Sequence, residues 1–123
     1  MAEPSWDRIH IRDLSVHCII GINPEERVEK QEVTMNLTLH ADLLDAARTD
    51  NIGDTVDYKS VKEEVRNAVE ASDFFLLERL AEHVAEIALR PPQVRRVDVC
   101  VDKPGALRYA RSVAVEITRV KAS

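Results

Sequence analysis

The sequence predicts an α+β fold: a four-stranded antiparallel sheet with two helices on one face, in the order strand, strand, helix, helix, strand, strand. Three observations carry this reading. Apolar residues alternate at every second position over Gln31 to Leu43 and again near the C-terminus. Between Tyr58 and Ala88 the spacing changes to a helical period. Breakers such as Pro91-Pro92 and Pro104-Gly105 fall between the periodic segments.

In the second strand, Val33, Met35, Leu37, Leu39 and Ala41 are apolar, whereas Glu32, Thr34, Asn36, Thr38 and His40 are polar. One face is therefore wet. The first strand changes phase, with Ile9 and Ile11 in one register and Leu14, Val16, Cys18 and Ile20 in the other. A one-residue bulge near Arg12 and Asp13 reconciles the two. Tyr58, Val61, Val65, Ala68 and Val69 form the stripe of a first helix that Asp57 can cap. Leu77, Leu80, Ala81, Val84, Ile87 and Ala88 form a second stripe, which Pro91-Pro92 terminates for want of N–H donors. Val97, Val99 and Val101, then Val113, Val115 and Ile117, mark the last two strands on either side of Pro104-Gly105. Four strands leave two sheet edges, whose unpaired backbone groups a partner subunit can satisfy.

The 123 residues fit one domain, residues 1–123, with no linker. With 17 Lys and Arg against 22 Asp and Glu, the net charge of −5 argues against nucleic acid as the main partner. No apolar run approaches membrane-spanning length, and Met1 to Arg8 lacks a signal-like apolar core. A cytoplasmic protein with no membrane partner is expected. Cys18 and Cys100 lie within apolar runs, far from any CxxC spacing, and are expected as buried free thiols.

Candidate sites are the residues that interrupt the periodic pattern. These are Gly21 to Glu26 between the first strands, Asp54 to Tyr58 before the first helix, Leu76-Leu77-Glu78 at the second, and Asp102 to Gly105 after the third strand. His10, His17, His40 and His83 show no metal-ligand spacing, so no metal is expected. Three glycines do not make a phosphate loop, and neither cysteine has an activating neighbour.

In these interruptions the chain resembles the dihydroneopterin aldolase family, from about Asp7 to Arg119. The matching words are Ile20-Gly21 with Glu25-Glu26 and Gln31, Ala47 to Asn51, Asp54 to Tyr58, Leu76 to Glu82, and Lys103 to Ala106. Each word is weak alone, and their order and spacing make them specific. The resemblance implies the tunnelling fold, in which four subunits join their sheets into a barrel and two rings stack as a homo-octamer. Active sites then lie between subunits.

The resemblance also implies roles. Glu78, in the first turn of a helix where the macrodipole favours a carboxylate, is expected to anchor the 2-amino group and N3–H of a dihydropterin, with Leu77 lining the same pocket. Lys103 is expected near N5 as a proton donor or relay, paired with Glu26; the spacing to Gln31 favours Glu26 over Glu25. Tyr58 is either a core aromatic of the first helix or a catalytic hydroxyl reaching a neighbour's site, where Val56 supplies backbone contacts. No cofactor is needed, because the C6=N5 bond of the substrate is its own electron sink.

Aldolase chemistry would yield 6-hydroxymethyl-7,8-dihydropterin and glycolaldehyde, a step of folate biosynthesis. A sister branch, the dihydroneopterin triphosphate epimerases, is similar at Ala106-Leu107-Arg108-Tyr109-Ala110 and Ser112-Val113. Arg108 and Arg111 are either triphosphate partners or ordinary strand-edge charges. A non-catalytic pterin or purine binder is the third alternative.

Overall fold

The computed structural model describes residues 6–122. Strand β1 (Asp7–Cys18) pairs with β2 (Gln31–Ala41), β2 with β3 (Val94–Pro104), and β3 with β4 (Ser112–Val120), every pair antiparallel. The sheet order is the chain order, so β1 and β4 form its edges. A short helix α1 (Leu44–Thr49) follows β2, and two longer helices, α2 (Tyr58–Glu70) and α3 (Leu77–Ala88), precede β3. Helix α2 packs on β1, and α3 packs on β3 and β4.

The alternation read in the sequence sorts the two faces. Val33, Met35, Leu37, Leu39 and Ala41 are buried beneath the helices together with Val97, Val99 and Val101. Val61, Val65 and Val69 of α2, and Leu80, Ala81, Val84, Ile87 and Ala88 of α3, belong to the same core. Truncating a fully buried side chain such as Leu80 to alanine removes about 2 to 5 kcal/mol. The opposite face is polar and is tied across strands: His10 Nδ1 lies 3.1 Å from Thr38 Oγ1, and His40 Nε2 lies 2.7 Å from Asp98 Oδ2. Thr118 Oγ1 also donates to Asp98, at 2.7 Å.

The bulge falls where the phase change puts it. Ile11 faces Leu37 and Leu14 faces Met35, so Arg12 and Asp13 together oppose Asn36. Asp13 adopts a left-handed φ of 55°, and its N–H donates to Asn36 Oδ1 at 3.0 Å. Asp57 caps α2, accepting from the Ser60 N–H at 3.1 Å.

Several details differ from the sequence reading. Strand β2 ends at Ala41 and not Leu43, because the chain turns into α1. That helix has six residues and closes on left-handed Asp50, too short for a periodic stripe to declare itself. Cys18 is buried, but Cys100 is half-buried. Cys100 is one residue out of phase with Val99 and Val101 and therefore lies on the polar face. Among the described residues, no helix is long and apolar enough to cross a membrane.

Candidate active site

The end of β1, the start of β2, the end of β3 and the start of β4 meet at one end of the sheet. Lys103 sits there in phase with Val97, Val99 and Val101, so its side chain enters the helix-covered side of the sheet. Only 7% of Lys103 is exposed. A buried ammonium needs an anionic partner. Glu26 supplies it, with Lys103 Nζ donating to Glu26 Oε2.

Glu26 comes from a 3-10 turn, Pro24–Arg27, in the β1–β2 loop. The turn aims its carboxylate inward: Oε1 accepts the Asn23 N–H at 3.1 Å, and Gln31 Nε2 reaches Oε2 at 3.3 Å. Gln31 Nε2 also donates to the Ile20 carbonyl at 3.1 Å, holding the loop against the start of β2. The hydrogen bond from Lys103, then that from Asn23, lowers the Glu26 carboxyl to about 2. Neighbouring Glu25 is exposed, so Glu26 and not Glu25 makes the pair with Lys103. Gly21 makes room for this carboxylate. It has φ +123°, and a Cβ there would lie closer than 3.0 Å to the Glu26 carboxylate.

Glu78 is exposed in the first turn of α3, and Leu77 beside it is half-buried. Both lie at the Lys103 end of the molecule. The α2–α3 connection is fastened there by Arg27, whose Nη1 donates to the Gly21 carbonyl at 3.0 Å and the Phe74 carbonyl at 3.1 Å. Its Nη2 donates to the Asp73 carbonyl at 2.5 Å.

Tyr58 and Val56 are elsewhere. Tyr58 opens α2, and the short α2–α3 connection makes the helices antiparallel neighbours. The start of α2 is thus about 18 Å from the start of α3, at 1.5 Å per residue. Tyr58 is 52% exposed, which removes the core-aromatic alternative, whereas the Val56 side chain is fully buried. One chain pairs Glu26 with Lys103, fastens the loop before Leu77 and Glu78 to the Glu26 turn through Arg27, and displays Tyr58 away from the start of α3. Arg108 and Arg111 lie on the exposed β3–β4 turn, which the Gly105 N–H closes onto the Arg111 carbonyl at 3.2 Å. The guanidinium of Arg108 stands 5.6 Å from the Tyr109 ring centroid.

Arg27 was not legible as part of this end of the molecule, because its partners are backbone carbonyls and those leave no mark in a sequence. Lys103 entered the sequence reading through the resemblance alone; its core phase with Val97, Val99 and Val101 was a signal of burial that the reading did not use.

One antiparallel sheet carries two packed helices on a single face, and at one end of that sheet a buried lysine is paired with a loop glutamate. The family model for dihydroneopterin aldolase (FolB) matches residues 9–118, and the chain belongs to that family. It is 36% identical over 115 residues to the dihydroneopterin triphosphate 2'-epimerase of Pseudomonas aeruginosa, covering 94% of each chain. It is 38% identical over 100 residues to the dihydroneopterin aldolase of Streptomyces coelicolor, covering 81% of this chain and 84% of the relative. The crystal structure of Escherichia coli dihydroneopterin aldolase in complex with neopterin superposes with a TM-score of 0.87 at 34% identity, covering 92% and 98% of the two chains.

Proposed function

We propose that this chain is a 7,8-dihydroneopterin aldolase that releases glycolaldehyde and 6-hydroxymethyl-7,8-dihydropterin, a step of folate biosynthesis in the cytoplasm. The observation that carries the reading is the buried Lys103–Glu26 pair, at the same end of the molecule as Glu78. Family membership supplies the substrate class, and the neopterin held by the E. coli relative is of that class.

In this reading Glu78 accepts hydrogen bonds from the 2-amino group and N3–H of the ring, with Leu77 beside it. Loss of the 2′-hydroxyl proton breaks the C1′–C2′ bond. The bonding pair moves through C6 toward N5, where Lys103 delivers a proton, and glycolaldehyde leaves. The resulting enol-like intermediate then takes a proton at C1′ while N5 gives its proton back to Lys103, which restores the C6=N5 bond of the product. Glu26 holds Lys103 in place through both transfers. Positioned proton transfer contributes about 10²- to 10⁴-fold per group, so a small constellation suffices.

Tyr58 and the Val56 backbone serve a neighbouring subunit's site, with the Tyr58 hydroxyl shuttling a proton to the enol carbon. The separation of Tyr58 from Glu78 within one chain supports this, as do the two unpaired edges β1 and β4. The assembly in this reading is a tetrameric ring whose sheets join into a barrel, doubled to an octamer.

A second reading, 2'-epimerisation of dihydroneopterin triphosphate, is favoured by the match to the Pseudomonas epimerase along 94% of both chains. It is the same bond cleavage followed by re-addition to the other face of the aldehyde, with Arg108 and Arg111 as candidate phosphate partners. Incubation with dihydroneopterin and, separately, with its triphosphate decides between them. Release of glycolaldehyde supports the aldolase, and a 2'-epimer of the triphosphate without cleavage supports the epimerase. Binding without turnover of either compound would make the chain a pterin binder.

A further inference from the structure

We infer that Arg27 is a positioning residue, a clasp that sets the spacing between Glu78 and the Lys103–Glu26 pair. The inference rests on the proposed reading of those three residues, and it concerns a side chain to which neither fold nor family assigns a task. In that reading the two halves of the pocket sit on different loops. Glu26 belongs to the β1–β2 loop, and Glu78 opens the helix that follows the α2–α3 loop. No strand ladder joins these loops.

Arg27 joins them. It is the residue after Glu26, and its guanidinium donates to one carbonyl of its own loop, Gly21 at 3.0 Å, and to two of the other, Phe74 at 3.1 Å and Asp73 at 2.5 Å. The same group stacks over the Phe75 ring, 4.0 Å from its centroid. The far loop is in turn fixed to α3: Phe74 meets the His83 ring edge-on at 5.4 Å between centroids, and the Arg79 guanidinium lies 4.8 Å from the Phe74 centroid. A continuous path therefore runs from the Glu26 turn through Arg27 and Phe74 to the first turns of α3.

The chemistry of the clasp is specific to arginine. A planar guanidinium offers several N–H groups in a fixed fork and keeps a face free for an aromatic ring, and a lysine ammonium matches neither feature. The carbonyl of Gly21 is also the one whose residue makes room for the Glu26 carboxylate. Displacing Arg27 would free both the position of that carboxylate and the loop entering α3. Glu78 itself stays on a packed helix, so the ring anchor survives while the reacting end of the substrate loses its register with Lys103. Misplacement by about 1 Å costs up to about 10²-fold in rate.

The test uses the full chain with Arg27→Lys and Arg27→Ala, the lysine variant keeping the charge in case the alanine variant folds poorly. Backbone amide exchange over residues 22–28 and 72–77 reads the clasp without reference to activity. Exchange should rise in both segments together. Kd for neopterin, and kcat and KM for dihydroneopterin, read its consequence. We expect neopterin binding within about threefold of the parent and kcat lowered about 10- to 100-fold, with no rescue by lysine. A faster-exchanging 22–28 segment beside an unchanged 72–77 segment would overturn the clasp. So would a folded variant with full kcat, or one whose loss lies wholly in neopterin affinity. If the parent protein itself turns over no dihydropterin, the proposed function fails, and the exchange data still decide whether Arg27 couples the loops.

Discussion

Gly21 and Glu26 compete for the same space: the carboxylate that pairs with Lys103 occupies the volume a Cβ on Gly21 would take. The carboxylate is the end of a flexible chain and could swing aside, but only by abandoning Lys103. The φ of +123° adds a cost of its own, about 1 to 3 kcal/mol for any L side chain.

Gly21→Ala should therefore lower both stability and turnover. Chemical denaturation should show a loss of about 1 to 3 kcal/mol, and kcat should fall well beyond what that loss explains in the folded fraction. A variant with parental kcat would show that the Glu26–Lys103 geometry is dispensable.

The pair also has a pH signature. Lys103 and the Asn23 N–H hold the Glu26 carboxyl at about 2, below its ordinary 4.5. A lowered folded-state value stabilises the fold above pH 4.5, and that contribution is lost as pH falls toward 2. Glu26→Gln carries no such charge. The stability difference between parent and variant should be full near neutrality and shrink steadily between pH 4.5 and 2, as urea unfolding at each pH would record. A difference that stays constant over that window would mean that the ion pair does not link folding to protonation.

The distance between Tyr58 and Glu78 makes a prediction about mixtures. Tyr58→Phe should lose most of kcat, whereas Glu78→Ala should raise KM far more than it lowers kcat, because the anchored ring edge does not change during bond cleavage. If each site takes Tyr58 from one chain and Glu78 from another, random co-assembly of the two variants restores about a quarter of the sites. Activity at low substrate should rise accordingly when the two are unfolded and refolded together. No gain on mixing would place both residues in one subunit's site.

How much of this was legible in the sequence depends on the kind of interaction. The strands were, because Val33 to Ala41 and Val97 to Val101 bury alternate residues and period is written residue by residue. The Asp13 bulge was, because a single inserted residue must flip the phase from Ile11 to Leu14. The limits of β2 and the existence of α1 were not, since a six-residue helix has no full stripe. At the candidate site, the pairing of Lys103 with Glu26 was anticipated through resemblance, and the core phase of Lys103, which the structure reveals, went unread. The contacts of Arg27 with three carbonyls, and the burial of His40 against Asp98, depend on tertiary approach between distant segments. No local pattern encodes that approach.

In the proposed reaction Lys103, held by Glu26, moves a proton at N5 and forms no covalent bond to substrate. The C6=N5 bond already provides an electron sink, and the substrate side chain offers hydroxyls and no ketone for imine formation. The most direct measurement is single-turnover cleavage of dihydroneopterin by Lys103→Ala, with neopterin affinity measured on the same preparation and borohydride added to the parent enzyme during turnover. The expected result is a rate lowered by about 10² or more with neopterin binding nearly intact, and no mass added to the parent chain. Full turnover by Lys103→Ala, or a borohydride-trapped adduct on Lys103, would contradict it.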